Sequence, residues 1–141
     1  MPQIFTVGRK QYLNRFRLSR PIRLPMVAAM TVIYKICPSA AWNEACAAGT
    51  YAGSDDDRRD GFIHLSAAHQ LAGTLARHFA GRDGLVLIAF DEEGLAGLRW
   101  EPSRGGMLFP HVYGVLSVSR ARWVKNLPLQ NGVHVIPPEA T

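Results

Sequence analysis

Leu85-Val86-Leu87-Ile88-Ala89-Phe90 is an unbroken apolar run of strand length, bounded by Gly84 and Asp91. Side chains alternate across a strand, so a run without polar interruptions is apolar on both faces. This predicts a central strand that is covered on both sides of its sheet. Helix-like segments precede the run and strand-like segments dominate after it, which favours an α+β fold over a doubly wound sheet.

The segment upstream predicts a strand followed directly by a helix. Residues 32–37 alternate like a first strand, and the alanine-rich residues 40–48 favour a helix. Ser39 is the expected N-cap and Gly49 the expected C′ residue, while Cys46 falls on the apolar side.

A second helix is predicted over 67–80, with Ser66 available as its cap, because apolar residues recur there at helical spacing. The stripe that it buries consists of Leu71, Leu75 and Phe79. The charged run 54–61 is expected to be a solvated loop. Further strands are expected at 62–65, around 98–100, at 111–118, at 121–127 and after Gly132.

The composition predicts one globular domain with a basic extension. Apolar residues make up 48% and charged residues 19% of the 141 residues, which excludes a disordered or membrane-embedded chain. The net charge of +5 comes from residues 1–29, where six basic residues and no acidic one occur. Residues 30–141 carry ten basic and eleven acidic residues, a net charge of −1, so the domain's charge gives no argument for nucleic-acid binding.

Residues 1–29 are therefore predicted to lie outside the domain, which would span 30–141. The abrupt change in composition and the in-frame Met26 and Met30 favour such an extension. A signal or transit segment and a nucleic-acid-binding arm remain alternatives, although Pro25 interrupts the apolar run that a signal requires.

Only two cysteines occur, and no Cys or His spacing suits zinc. Small buried thiols in a reducing cytoplasm are the expectation. No apolar span of about 18 residues is present. We therefore expect a cytoplasmic protein with neither a metal site nor a membrane partner.

Two histidines lie inside strand-like stretches, His64 in Asp60-Gly61-Phe62-Ile63-His64-Leu65-Ser66 and His111 in Phe109-Pro110-His111-Val112-Tyr113-Gly114. An imidazole is costly to bury unless both ring nitrogens have partners. The two histidines therefore form either a shared site or two hydrogen-bonded core positions. The available partners are Ser66, Glu101, Arg104 and Tyr113.

The loop Ser103-Arg104-Gly105-Gly106 has the composition of an anion site. Glycines let backbone N–H groups approach a phosphate, and Arg104 can bind it through two parallel hydrogen bonds. Glu101 can accept hydrogen bonds from ribose hydroxyls. Together with the histidines these groups predict a nucleotide site, and the alternative is a simple Glu101–Arg104 pair in a loop.

Two other chemistries have weaker support. A serine hydrolase built on Ser66 and His64 lacks an orienting acid and the Gly-x-Ser-x-Gly turn. A metal held by His64, His111 and Glu101 would suit several divalent ions, but the sequence separation does not define its geometry.

Several of these stretches resemble a small bacterial family known as the domain of unknown function 952 family. The resemblance covers residues 31–127 and supports Met30 as the natural start. It implies an α+β fold grouped with the ADP-ribosyltransferases, in which two early helices pack on mainly antiparallel strands and NAD binds in a cleft. The matching strings are Tyr34-Lys35-Ile36, the two histidine stretches, Leu85-Val86-Leu87, Trp100-Glu101 and Ser103-Arg104-Gly105-Gly106.

In the transferases a first-strand His or Arg holds the dinucleotide and a late carboxylate orients the ribose. The first strand here offers Tyr34-Lys35 instead. Under the resemblance the holding role therefore passes to His64 or His111, and Glu101 is the candidate carboxylate. Tyr34 is a candidate ligand-binding residue.

The leading hypothesis is an ADP-ribosyltransferase-like domain that binds a nucleotide or another phosphate-containing ligand, with NAD as a candidate substrate for an ADP-ribosyl- or phosphotransferase-type reaction. The rival is a non-catalytic binding or accessory module whose strand histidines are structural. A solvent-open pocket favours the first and full burial the second. The candidate catalytic residues are His64, Glu101 and His111, and the candidate ligand-binding residues are Ser66, Arg104, Tyr113 and Tyr34.

Overall fold

A computed structural model describes residues 31–141, apart from the side chain of Arg104. The predicted extension over 1–29 lies outside the described residues. Along the described chain the elements are β1 (Val32–Pro38), α1 (Ser39–Ala48), β2 (Thr50–Tyr51), α2 (Asp55–Asp60), β3 (Ile63–His64), β4 (Ser66–Ala67), α3 (Leu71–His78), β5 (Leu85–Asp91), β6 (Leu98–Pro102), β7 (Leu108–Val112), β8 (Leu116–Ser117), β9 (Ala121–Leu127), β10 (Leu129–Gln130) and β11 (Val133–His134).

Two antiparallel sheets organise the fold. The larger has the strand order β4-β1-β5-β9, and the smaller has the order β3-β7-β6. Two short antiparallel ladders, β2-β8 and β10-β11, complete the pairing. The prediction of an α+β fold with mainly antiparallel strands is confirmed.

Strand β5 is buried on both faces, as its apolar run predicts. Val86, Ile88 and Phe90 belong to one core cluster, which also contains Trp42 of α1. Leu85, Leu87 and Ala89 belong to a second cluster, which contains Leu71 and Leu75 of α3. The larger sheet is therefore a middle layer between α1 on one side and α3 on the other.

Helix α1 corrects two details of the sequence prediction. Ser39 is its first helical residue and Pro38 takes the N-cap position, since proline's fixed φ and missing N–H are tolerated where a helix begins. Cys46 is exposed rather than apolar-side, because the buried face carries Trp42 and Ala45. Gly49 ends the helix with a φ of 91°, as predicted.

Helix α3 buries the predicted stripe, with Leu71 and Leu75 in the core and Phe79 packed against it. It begins later than predicted, after a 3₁₀ turn over Ala68–Gln70. Ser66 does not cap this helix, because it pairs with β1 as part of β4. The Gln70 side chain instead accepts a hydrogen bond from the Ala67 N–H at 2.9 Å.

The charged run 54–61 is not the solvated loop that the sequence predicted. It forms α2, and Ser54 and Asp57 make a capping box in which each side chain accepts from the other's backbone N–H. Asp57 is buried while the neighbouring charges are exposed. In the part of the chain that the structure describes, no helix is long and apolar enough to cross a membrane.

Candidate functional site

One face of the smaller sheet carries the polar and aromatic residues of the site. Its other face packs on the core through Ile63, Val112, Leu98 and Trp100. Because side chains alternate along each strand, the intervening residues project from the opposite face. Those residues are His64, Arg99, Glu101 and His111. Phe62 and Tyr113 flank the strands on the same side, where Phe62 stacks on His111 and Tyr113 contacts Arg99 and Glu101.

His64 and His111 lie directly opposite each other in the β3-β7 ladder. Their ring centroids are 5.5 Å apart in an edge-on arrangement. The Phe62 ring stacks on His111 with 4.0 Å between centroids and contacts His64 at 4.7 Å. The sheet register thus brings together two histidines that are 47 positions apart in the sequence.

Asp57 accepts hydrogen bonds from both the ring and the backbone of His64. Its Oδ1 accepts from the His64 ring Nδ1 at 2.6 Å and from the His64 backbone N–H at 3.1 Å. Its Oδ2 accepts from Lys35 Nζ at 2.8 Å and from the Ser54 N–H at 2.9 Å. Lys35 also donates to the His64 carbonyl oxygen at 3.0 Å. A buried carboxylate with four donors is an acceptor at every lone pair.

The Asp57 carboxylate is held in its charged form. Burial by itself would raise its pKa, but the hydrogen bond from His64 and the positive charge and hydrogen bond of Lys35 outweigh that effect and hold the pKa well below its usual range. The Asp57 side chain is only 2% exposed and that of Lys35 7%, so this ion pair is part of the interior.

The other ring nitrogen of His64 faces Asp60. Its Nε2 is 3.0 Å from Asp60 Oδ2. The His64 side chain is 37% exposed and that of Asp60 33%, so this contact lies at the surface end of the site. His64 therefore bridges a buried carboxylate and a solvent-accessible one.

His111 is oriented by a second carboxylate. Its Nδ1 is 2.7 Å from Glu101 Oε1, and the Tyr113 hydroxyl donates to both Glu101 oxygens at 2.8 and 3.0 Å. These hydrogen bonds, first from His111 and then from Tyr113, lower the pKa of Glu101. The His111 side chain is only 5% exposed.

A cavity of about 180 Å³ opens beside the two histidines. It lies between strand β1, helix α2, helix α3 and the loop that precedes β7. It is lined by Tyr34, Lys35, Ile36, Ser54, Asp56, Asp57, Arg59, Asp60, His64, Leu65, Ser66, Thr74, His78, Phe79, Ser103, Phe109 and His111. Hydroxyl, carboxylate and imidazole groups thus meet at a partly apolar pocket, which is the usual composition of a small-molecule site.

The predicted site residues divide between the cavity and its support. The candidates His64, His111, Ser66 and Tyr34 line it. Ser66 and Thr74 share a hydrogen bond between their hydroxyls at 3.0 Å. The Tyr34 ring packs against Trp123 at 5.8 Å between centroids, and burial raises the pKa of its hydroxyl.

Three candidates, Glu101, Tyr113 and Arg104, are not among the described lining residues. Glu101 and Tyr113 reach the cavity only through His111, since neither belongs to the described lining. Arg104 begins a 3₁₀ turn over Arg104–Gly106, and its side chain lies outside the described part of the structure. Its neighbour Ser103 lines the cavity, so the predicted anion loop reaches the site at this residue.

The two described Lys and Arg side chains of the lining are already ion-paired. Lys35 contacts Asp57, and Arg59 contacts Asp56 and Asp60. Neither is therefore the simplest ligand for a phosphate group. The described lining is better suited to hydroxyl-bearing or neutral polar groups than to an anion.

The sequence interpretation missed Lys35, Asp57 and Asp60. Two signals pointed to the first two. Lys35 stands inside an apolar strand, and a buried ammonium group needs a partner. Ser54 precedes Asp57 by three positions, which is the spacing of a capping box and predicts a helix start in the charged run. Neither signal identifies the contact between Lys35 and Asp57.

Within residues 31–141, no group of three or more His, Cys, Asp or Glu side chains is arranged to hold a metal ion. Both histidines use Nδ1 for a carboxylate hydrogen bond.

Comparisons with known proteins agree with this architecture. The profile of the family described as "Protein of unknown function (DUF952)" matches residues 36–124. The crystal structure of protein CC0527 from Caulobacter crescentus is similar to this chain, with 47% identity and a TM-score of 0.72 over 74% of this chain and 94% of that one. The solution NMR structure of CC0527 gives 48% identity and a TM-score of 0.67 over 74% and 91%. No curated protein matches the chain.

Proposed function

We infer that this chain, which belongs to the family of proteins of unknown function DUF952, binds a nucleotide-like ligand in its cavity. In this proposal His64 and His111 act on that ligand. The ligand's ribose or another hydroxyl-bearing ring enters the cavity. The two imidazoles then exchange protons with it as general acid and base.

A single observation carries the proposal. Two imidazoles lie at one cavity, and each has its Nδ1 bonded to its own carboxylate, Asp57 for His64 and Glu101 for His111. A carboxylate behind an imidazole fixes the orientation of the ring and stabilises the positive charge that forms when the ring accepts a proton. Structural histidines need hydrogen bonds too, but they have no need to share a cavity.

The size of the cavity limits what it holds. A volume of about 180 Å³ is smaller than the roughly 300–1,000 Å³ of pockets that enclose drug-sized ligands. A whole dinucleotide would therefore place one ring inside and its phosphates outside. The Ser103-Arg104-Gly105-Gly106 loop is where we propose that phosphate binds, through Arg104.

We extend the proposal to an ADP-ribosyltransferase-like fold, with NAD or a related nucleotide as the ligand. The resemblance of the histidine and glycine-rich strings supports this extension, as does the presence of two antiparallel sheets beside the cavity. Glu101 then acts through His111 rather than directly on the ribose. A cytoplasmic location is part of the same proposal, consistent with Cys37 and Cys46 being free thiols.

A thermal-shift screen of the full chain against NAD, ADP-ribose and nucleoside phosphates tests the proposal. A ligand present at about 100 times its Kd should stabilise the protein by roughly 2.7 kcal/mol, which is a readily measured rise in Tm. If none of these compounds raises the Tm, the proposed ligand class is wrong and the non-catalytic module becomes the better account. That rival draws its support from the burial of His111 and Ser66.

Arg104→Lys tests the phosphate contact separately. Lysine keeps the charge but lacks the planar fork, so a bidentate phosphate contact should weaken by about tenfold or more in Kd. Arg122→Lys on β9, whose arginine pairs with Asp91, is the matched control and should leave the Kd unchanged. Equal affinity of Arg104→Lys and the unaltered chain would remove the arginine from the site.

A further inference from the structure

We propose that Asp57, held by Lys35, is a positioning residue that keeps a hydrogen on Nδ1 of His64, so that the ring gains and loses its second proton at Nε2, on its more exposed side. This inference rests on the proposed function for its purpose, but it can be tested without any ligand. It concerns two residues that no motif in the sequence assigns to the site.

The first step is the hydrogen-bond direction at Nδ1. Asp57 Oδ1 lies 2.6 Å from His64 Nδ1, and an ionised carboxylate can only accept. Nδ1 must therefore carry a hydrogen in every state of the ring. The proton that His64 gains or loses is then the one on Nε2.

The second step is the fixed orientation of the Asp57 carboxylate. Oδ2 accepts from Lys35 Nζ at 2.8 Å and from the Ser54 N–H at 2.9 Å, while Oδ1 accepts from two groups of His64. Lys35 in turn donates to the His64 carbonyl oxygen at 3.0 Å. Since both oxygens are occupied, the carboxylate has no freedom to rotate away from the ring.

The third step is the surroundings of Nε2. The charged and titratable groups that face His64 are Asp57 and Asp60 from α2, Lys35 from β1 and His111 from β7. Of these, Asp60 meets Nε2, at 3.0 Å, and it also lines the cavity. Asp60 accepts from Nε2–H when the ring is doubly protonated, and because its side chain is 33% exposed and also pairs with Arg59, water can replace it when that proton leaves. Asp57 lines the cavity as well, but its side chain is only 2% exposed and both of its oxygens are occupied, whereas Asp60 is 33% exposed. Nε2 thus faces the more exposed carboxylate, and a hydroxyl of a bound ligand would compete with Asp60 for it.

Asp57→Asn gives an opposite expectation for the tautomer. An amide has one oxygen and one NH₂ group, and an NH₂ group in place of Oδ2 would face two fixed donors, Lys35 and Ser54. In place of Oδ1 it would face one fixed donor, the His64 backbone N–H, and the ring Nδ1, which can become an acceptor. The amide therefore turns its oxygen to that side and its NH₂ toward His64. Nδ1 then becomes an acceptor, and the neutral ring moves its hydrogen to Nε2.

Long-range ¹H–¹⁵N correlation spectra of the ¹⁵N-labelled full chain measure the tautomer directly. The spectra are recorded at alkaline pH so that the neutral ring is observed, and the His64 signals are assigned by their loss in His64→Gln. We expect the Nδ1–H form in the unaltered chain and a switch to the Nε2–H form in Asp57→Asn. A purely structural role for Asp57 would lower stability without inverting the tautomer.

Asp60→Asn is the matched control, because it alters a carboxylate on the same helix that faces Nε2 instead of Nδ1. It should leave the Nδ1–H form in place. An Nε2–H form or an even mixture in the unaltered chain overturns the proposal, and so does an unchanged tautomer in Asp57→Asn. If Asp57→Asn does not fold, the spectrum of the unaltered chain still decides.

The outcome is separable from that of the proposed function. A chain that binds no nucleotide but shows the Nδ1–H form refutes the ligand class and retains the positioning role. A chain that binds a nucleotide but shows the Nε2–H form retains the ligand and refutes the role of Asp57.

Discussion

The Lys35–Asp57 pair is the most consequential contact at the scale of single residues. Both side chains are almost fully buried, and each has another hydrogen bond that uses its charge. A buried ion pair is weak evidence of net stabilisation, because desolvation opposes the attraction. Removing only one of the two side chains is strongly destabilising, because it leaves one uncompensated charge inside the protein.

We predict that Asp57→Ala destabilises the protein by about 3–5 kcal/mol, because it strands the Lys35 ammonium group in the interior. Asp56→Ala, on the same helix, should change the unfolding free energy by less than about 0.5 kcal/mol, since Asp56 is exposed and pairs with exposed Arg59. Urea unfolding of both variants measures the difference. Similar losses in the two would mean that Asp57 is not buried as described.

The same carboxylate makes stability depend on pH in the acid range. Its pKa in the folded state lies below the ordinary value of 3.8, so the unfolded chain binds a proton more readily. The stabilisation is complete above the ordinary value and is lost as the pH falls toward the folded pKa. The decrease in unfolding free energy between about pH 7 and about pH 3 should therefore be larger in the unaltered chain than in Asp57→Asn. Parallel losses would contradict this assignment.

Helix α2 shows how a single short element positions the site. Its capping box fixes the start of the helix at Ser54, and one turn later Asp57 points inward beneath His64. Gly53, just before the cap, has a φ of 108°, and a Cβ atom placed on it would lie 2.8 Å from the Asp57 Cβ. The close approach of chain and helix at this point requires glycine.

Gly53→Ala should accordingly destabilise the protein by about 1–3 kcal/mol, through left-handed backbone strain and a clash with Asp57. Gly73→Ala is the matched control. Gly73 lies inside α3 with open space around it, so alanine there should stabilise the helix by roughly 0.5–1 kcal/mol. Thermal unfolding of the two variants should give Tm shifts of opposite sign. A neutral Gly53→Ala would show that the loop relaxes easily.

At the scale of the whole molecule, two core clusters cover the two faces of the larger sheet. Both clusters, as described, draw their residues from the range between Ile33 and Ala140. The smaller sheet packs one face on the first cluster, and from its polar face His64 and His111 line the cavity. The core therefore supports the site from behind, and Tyr34 of the second cluster also lines the cavity.

We predict that removal of residues 1–29 lowers the Tm by no more than a few degrees. That segment has six basic residues, no acidic one and no sustained apolar periodicity, so it offers little surface for a core. Differential scanning calorimetry of the full chain and of residues 30–141 makes the comparison. A larger drop in Tm would show that the segment packs on the domain and that the proposed boundary is wrong.

The sequence by itself determined the elements whose signal is local. The apolar run from Leu85 to Phe90 specified a strand buried on both faces, and helical periodicity specified the buried stripe of α3. The strand positions of His64 and His111 followed from their apolar neighbours. These features depend on a repeat of two or 3.6 residues, which a one-dimensional pattern contains.

Only the tertiary structure decided which residues share the site. The β3-β7 register sets His64 against His111, and the helix in place of a charged loop brings Asp57 to Lys35 and His64. Four aspartates occur in that run, and their spacing does not state which one turns inward. Asp57 is the one that turns inward, because the buried ammonium group of Lys35 on β1 needs a carboxylate partner. The two residues are 22 positions apart in the sequence.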